Sequence, residues 1–133
     1  MFVIFSLLAL AAPQTTPVPA PTPAPPPAVP ADIERDAVCM TLLTDLDRTY
    51  KNMPPEKQAE MKEWGERSRQ AVNFYLGAVS ARRTDDEMRP IVKKAATWGL
   101  GLPKDQRIAF IVSCFENMKP RILGIAGALA ELQ

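Results

Sequence analysis

The residues in this sequence whose chemistry is most distinctive are its two cysteines, Cys39 and Cys114. Both lie on or beside apolar stripes of helical spacing, and the chain starts with an export-like segment. In an oxidising compartment, two cysteines most simply form one disulfide. A catalytic thiol or a metal-binding pair is the alternative, but the sequence has no CxxC motif and no His. We therefore expect a structural bridge that joins the first predicted helix to the fourth.

A second group whose residue type and spacing could do chemistry is a set of three glutamates. Glu56, Glu60 and Glu63 are spaced by four and three residues, as metal ligands on one helix face would be. Helical bundles with such sites combine these glutamates with ExxH motifs, which a chain without His lacks. Lys57 and Lys62 are interleaved with the acids, so a solvated charged face is the better interpretation. The sequence predicts a protein that is not an enzyme and has no metal or cofactor.

The charge distribution defines one domain and argues against nucleic acid as a partner. All charged residues lie within Asp32–Gln133, a segment of about 100 residues, which is an ordinary size for one domain. The formal net charge is +1, and acidic and basic residues are interspersed. Such a segment offers no basic face that could neutralise many phosphates.

The N-terminal segment has the composition of an export signal. Residues 1–12, MFVIFSLLALAA, are apolar and uncharged, but a membrane-spanning helix needs about 20 such residues. Ala9 and Ala11 provide small side chains at the two positions that a signal peptidase reads. We predict a signal peptide at 1–11, hence a periplasmic or secreted protein with no stable membrane span in the mature chain. An uncleaved anchor and a buried helix are the alternatives.

Residues 12–31 form a predicted disordered linker that is rich in Pro and Ala. Nine prolines lie between Pro13 and Pro30, and each of them lacks a backbone donor and has a fixed φ. Such a stretch is extended polyproline II, a spacer of roughly 50 Å at ~3.1 Å per residue. A ligand for a proline-binding groove is the alternative, but no adjacent Arg or Lys is present to fix its orientation.

From Asp32 onward, apolar residues recur at three- and four-residue spacing, and no segment alternates as a half-buried strand does. The predicted helices run from a cap at Asp32 to Tyr50, from Pro55 to about Arg82, from the Thr84 and Glu87 capping box to the GLGLP segment, from Pro103 to Pro120, and from Ile122 to Leu132. We expect Pro90 to delay its helix and Pro120 to kink or stop the fourth. The predicted fold of residues 32–133 is all-α, a compact bundle of four or five short helices with one disulfide.

Two predicted helices carry more apolar surface than packing against one neighbouring helix would bury. The second helix is apolar on nearly every side over 71–79, and the last helix has an apolar face with Gly124 and Gly127 that permit close helix contact. We predict a contact surface for a homodimer or an apolar peptide or lipid. Its residues are Phe74, Tyr75, Ile125 and Leu129.

Two stretches resemble a known family. Residues 39–47, CMTLLTDLD, resemble the cysteine-containing first-helix motif of HdeA-type periplasmic acid-stress chaperones, and residues 74–82, FYLGAVSAR, are similar to their apolar second helix. The resemblance implies a small exported helical protein with one disulfide that binds unfolded clients after acid loosens a dimer. The chain equally resembles uncharacterised small helical envelope proteins of Gram-negative bacteria. Its cysteine spacing is longer than that of the chaperones, and an apolar segment replaces their basic tail.

Two hypotheses about function follow. The first is a non-enzymatic binding or chaperone-like module of the periplasm that holds an apolar peptide or lipid. The alternative is a tethered structural or interaction domain of the cell envelope with no small-molecule site. Exposure of the C-terminal apolar face distinguishes them, since a face that is exposed over several hundred Å² implies a partner.

Overall fold

The computed structural model describes residues 16–17, 25–81 and 83–133. The predicted signal peptide 1–11 and most of the predicted linker lie outside these residues. Five helices are present, namely α1 (Arg35–Lys51), α2 (Pro55–Glu60), α3 (Lys62–Ser80), α4 (Asp85–Leu100) and α5 (Lys104–Ala130). The described part of the chain contains no strand, and the predicted all-α class is confirmed.

Helix α1 is the centre of the bundle, and it packs against α3, α4 and α5. Its apolar residues are almost completely buried, namely Ala37, Val38, Cys39, Leu42 and Leu43. Helix α4 approaches α1 closely at Gly99, where an added Cβ would lie 3.1 Å from Val38 Cγ1. A residue with a side chain at this position would therefore push α4 away from α1.

The disulfide links the first helix to the last. Cys39 and Cys114 are bonded, with their Cα atoms 5.6 Å apart, and the bridge closes a loop with a sequence separation of 75 residues. Both cysteines are fully buried. The predicted pairing of α1 with the helix that contains Cys114 is present, and it fixes α5 against the centre of the core.

The start of α1 differs from the prediction. Asp32 does not cap the helix, because the backbone N–H of Ile33 donates to the Pro30 carbonyl at 3.0 Å and forms a turn before the helix begins. Glu34 occupies the N-cap position. Val29 and Ile33 pack against the core, so the last residues of the predicted linker already contact the bundle.

The second predicted helix is divided at Met61 into α2 and α3. The Tyr50 hydroxyl donates to the Gln58 carbonyl at 3.0 Å, which is the carbonyl that Lys62 would use in a continuous helix. The Tyr50 ring also lies where a Cβ on Gly65 would be, 2.5 Å from its nearest atoms. The break therefore follows from a side chain of α1 that inserts beside the junction.

The two internal prolines disrupt the helices less than expected. The Thr84 and Glu87 capping box is present, and α4 begins at Asp85 with Pro90 inside it, so the prediction of a later start is wrong. Pro120 does not stop α5 either, since this helix continues to Ala130. The Pro120 ring is exposed, and its missing N–H removes one hydrogen bond of the helix there. The predicted fourth and fifth helices are one helix.

Candidate contact surface on the last helix

Helix α5 has two halves with different surroundings, which we call the anchored half (104–121) and the projecting half (122–130). Every residue from Ile122 to Gln133 is exposed. The large apolar side chains among them have high exposed fractions, namely Ile122 44%, Leu123 71%, Ile125 56%, Leu129 58% and Leu132 82%. The projecting half carries no charged residue, and its aliphatic side chains face solvent.

The anchored half ends at an arginine that holds α5 to the bundle. Arg121 donates two hydrogen bonds to Asp36 of α1, at 2.8 and 3.0 Å. Its guanidinium also lies 4.9 Å from the centre of the Phe74 ring and 5.9 Å from that of Tyr75. A paired carboxylate and two aromatic faces fix this side chain in position. The helix leaves the bundle directly after it.

The four predicted surface residues separate into two groups. Ile125 and Leu129 are exposed, as a contact surface requires, whereas Phe74 is partly buried against the core. Tyr75 is fully buried, and its hydroxyl donates to the Cys114 carbonyl. Its assignment to the surface is therefore wrong, because the polar end of this ring has a partner inside the fold. Burial raises the pKa of Tyr75 above its usual value of 10.0.

Because α5 is continuous, its apolar residues form one stripe that sequence reasoning missed. Seven large apolar residues of α5 recur at alternating steps of three and four, and Leu132 continues the spacing just after the helix ends; the residues are Ile108, Ile111, Phe115, Met118, Ile122, Ile125, Leu129 and Leu132. We call this set the heptad stripe. The spacing is that of helices that pair side by side. It was visible in the sequence, but the expected break at Pro120 divided it.

A groove between α3 and the anchored half of α5 adjoins the heptad stripe. Its volume is about 610 Å³, and it is lined by Trp64, Arg67, Val112, Phe115, Met118 and Lys119, among others. Phe115 and Met118 belong to the stripe and are partly buried against the core. The apolar surface therefore runs without interruption from the groove onto the projecting half.

The glycines of the projecting half lie away from the stripe. Nothing is within 4 Å of a Cβ placed on Gly124 or Gly127, so in the described part of the chain no helix approaches them. At 100° per residue, Gly127 lies on the side of the helix opposite to the centre of Ile122, Ile125 and Leu129. The close helix contact predicted at these glycines is absent within the described bundle.

Among residues 25–81 and 83–133, no three His, Cys, Asp or Glu side chains come together as metal ligands would. No helix in the described ranges combines the length and the hydropathy that a membrane crossing requires. Comparisons of the chain with protein families, with curated protein sequences and with solved structures give no match.

Proposed function

We propose that this protein is an exported, non-enzymatic binding module, chaperone-like in action, that holds apolar segments of a peptide on the projecting half of α5 and the adjoining groove. The observation that carries the proposal is the exposure of the projecting half. Its large side chains, together with Leu132, expose on the order of 500 Å². Patches of this size on small proteins mark surfaces that bind a partner.

The chemistry of the groove supports a peptide as the ligand. Trp64, Phe115 and Met118 provide an aromatic and sulfur-containing lining, and such side chains adapt to apolar groups of varied shape. Arg67 and Lys119 at the same groove are paired with Glu63 and Glu116, and their remaining donors are suited to backbone carbonyls of a bound segment. An extended or helical peptide would find both apolar and polar contacts here.

The disulfide supports an oxidising compartment. A buried bridge between α1 and α5 is stable where thiols are oxidised and is rare in the cytosol. The apolar N-terminal segment, which resembles a signal peptide, points the same way. Periplasmic or secreted localisation is therefore part of the proposal.

Binding of an anilinonaphthalene sulfonate dye to the oxidised chain tests the proposal. We expect strong fluorescence at neutral pH with the dye at the apolar surface, and a loss of at least half of it in Leu129→Asp. The matched control is Gly127→Asp, which adds the same charge on the opposite side of the helix and should retain the signal. Equal fluorescence of the two variants, or no binding by the unmodified chain, would contradict the proposal. Repeating the titration at acid pH shows whether binding depends on acid.

The junction of the linker favours the alternative function, a tethered interaction domain. Residues 25–30 have no regular structure, and Val29 contacts the core, so the linker leaves the bundle from a fixed point. If the protein is only a tethered interaction domain, it will bind an envelope fraction but not the dye. Deletion of residues 12–24 should then abolish binding to the envelope in cells, while the melting temperature of the domain stays unchanged.

A further inference from the structure

The heptad stripe suggests which apolar helix the projecting half contacts. We propose that the partner is a second copy of this chain, with two α5 helices paired antiparallel. This inference rests on the proposed function, since both use the projecting half as a contact surface. The stripe has eight large apolar residues at regular steps of three and four over 108–132. A stripe of this regularity presents the side chains that interlock when two helices lie side by side.

The projecting half is complementary to another part of the same molecule. It extends beyond its own bundle, and the groove beside Phe115 and Met118 offers apolar side chains between polar and charged ones. In an antiparallel pair, the projecting half of each copy lies along the groove of the other. Both copies then make the same contact twice, as a two-fold symmetric dimer requires.

The charges of α5 select one register. Pairing Ile122 of one copy with Ile125 of the other places Met118 opposite Leu129 and Phe115 opposite Leu132. In this register the flanking Lys119, whose side chain is 64% exposed, faces Ala126, so that a long cationic side chain meets a small one. Shifting the helices so that Met118 meets Ile122 would place Lys119 against Lys119, and like charges in contact disfavour that pairing.

The available area agrees with a reversible dimer. The stripe residues Ile122, Ile125, Leu129 and Leu132 expose on the order of 450 Å², and the groove adds Val112, which is 54% exposed. Specific interfaces begin near roughly 600 Å² per partner. The pair therefore reaches the lower limit, and we expect a dissociation constant on the order of micromolar.

Sedimentation equilibrium of the oxidised chain tests the dimer. At about 100 µM we expect the unmodified protein and Gly127→Asp to be dimers. For Leu129→Asp we expect the dissociation constant of the dimer to be at least tenfold higher. Circular dichroism verifies that each variant is folded, and Ile125→Asp serves as a second disrupting variant. A monomeric unmodified protein, or a dimer that neither Leu129→Asp nor Ile125→Asp weakens, would overturn the inference.

The orientation is tested by a spin label on Gln133→Cys, attached without reducing the native disulfide. The proposed register separates the two labels by about 30 Å along the helix axis, from a rise of 1.5 Å per residue, whereas parallel helices would bring them within about 10 Å. A distance near 30 Å supports the antiparallel pair, and one near 10 Å overturns it.

The dye experiment distinguishes failure of the dimer from failure of the proposed function. It is performed at about 0.1 µM, where a dimer with a dissociation constant on the order of 1 µM is largely dissociated. If the chain binds the dye but remains monomeric at high concentration, the proposed dimer is wrong and the proposed function is not contradicted. If neither dye binding nor dimerisation is found, both proposals are wrong.

Discussion

The two halves of α5 are parts of one helix, yet they depend on the bundle very differently. In the anchored half, Phe110 and Cys114 are fully buried and Arg121 is paired with Asp36. In the projecting half, every residue is exposed. The comparison shows that helix formation and burial have separate causes here. The helix continues past Pro120 to Ala130, whereas burial against the bundle ends at Arg121.

The largest predicted effect on the free energy of unfolding comes from the disulfide, because this bond joins α1 to the anchored half only. Replacing both Cys39 and Cys114 by Ala should lower the free energy of unfolding by about 4 kcal/mol, as expected for a closed loop of this length. Urea unfolding of the double variant and the oxidised protein measures the effect. Equal midpoints would show that the bridge contributes little to holding α5.

Truncating one apolar side chain in each half gives the most direct comparison. Phe110→Ala removes a fully buried ring and should cost about 3 kcal/mol or more. Leu123→Ala, at a residue that is 71% exposed and outside the heptad stripe, should change stability by less than about 0.5 kcal/mol. Thermal unfolding at low protein concentration measures both. A large loss for Leu123→Ala would mean that the projecting half packs on the bundle in solution.

Arg121 marks the boundary between the halves, and its removal should have an intermediate effect. Arg121→Met loses the two hydrogen bonds to Asp36 and the aromatic contacts. Because Arg121 is partly exposed, we expect the free energy of unfolding to fall by about 1 to 2 kcal/mol. Arg89→Met is the control, since Arg89 has only an exposed pair with Asp86 at 4.0 Å and should change stability very little. If the two variants unfold at the same urea concentration, Arg121 does not anchor the helix.

The smallest predicted effect concerns the hydrogen bond from Tyr75 to the anchored half. Burial raises the pKa of Tyr75 in the folded protein. The protonated side chain therefore makes its full contribution to the free energy of unfolding below about pH 10, the pKa of tyrosine in the unfolded chain. This contribution is lost as pH rises through the pKa of the folded protein. Tyr75→Phe should cost about 1 kcal/mol at neutral pH and reduce the loss of stability between about pH 9 and 11. Urea midpoints across this range compare the two proteins. Identical alkaline profiles would contradict the assignment.

The sequence was sufficient for features that depend on local patterns. The helical class, the capping box at Thr84 and the pairing of Cys39 with Cys114 follow from spacing and composition. The division at Met61 depends on Tyr50 reaching the Gln58 carbonyl, a contact that no local pattern indicates. Burial of Tyr75 likewise depends on a carbonyl 39 residues away in sequence. Ile125 and Leu129 are exposed, and their role in a contact surface stays a prediction. The continuity of α5 through Pro120 is not indicated by the local sequence, since a proline inside a helix removes a hydrogen bond and crowds the preceding turn.

The central position of α1 has a consequence for how the chain folds as it emerges during synthesis or translocation. The first helix to appear is also the one whose buried face is completed by Phe110 and Cys114, near the other end of the chain. The core therefore cannot close until most of the domain is available, and contacts between such distant segments slow folding. The face of α1 consequently stays open until the segment that carries Cys114 is available, and closure of the core coincides with arrival of the second cysteine.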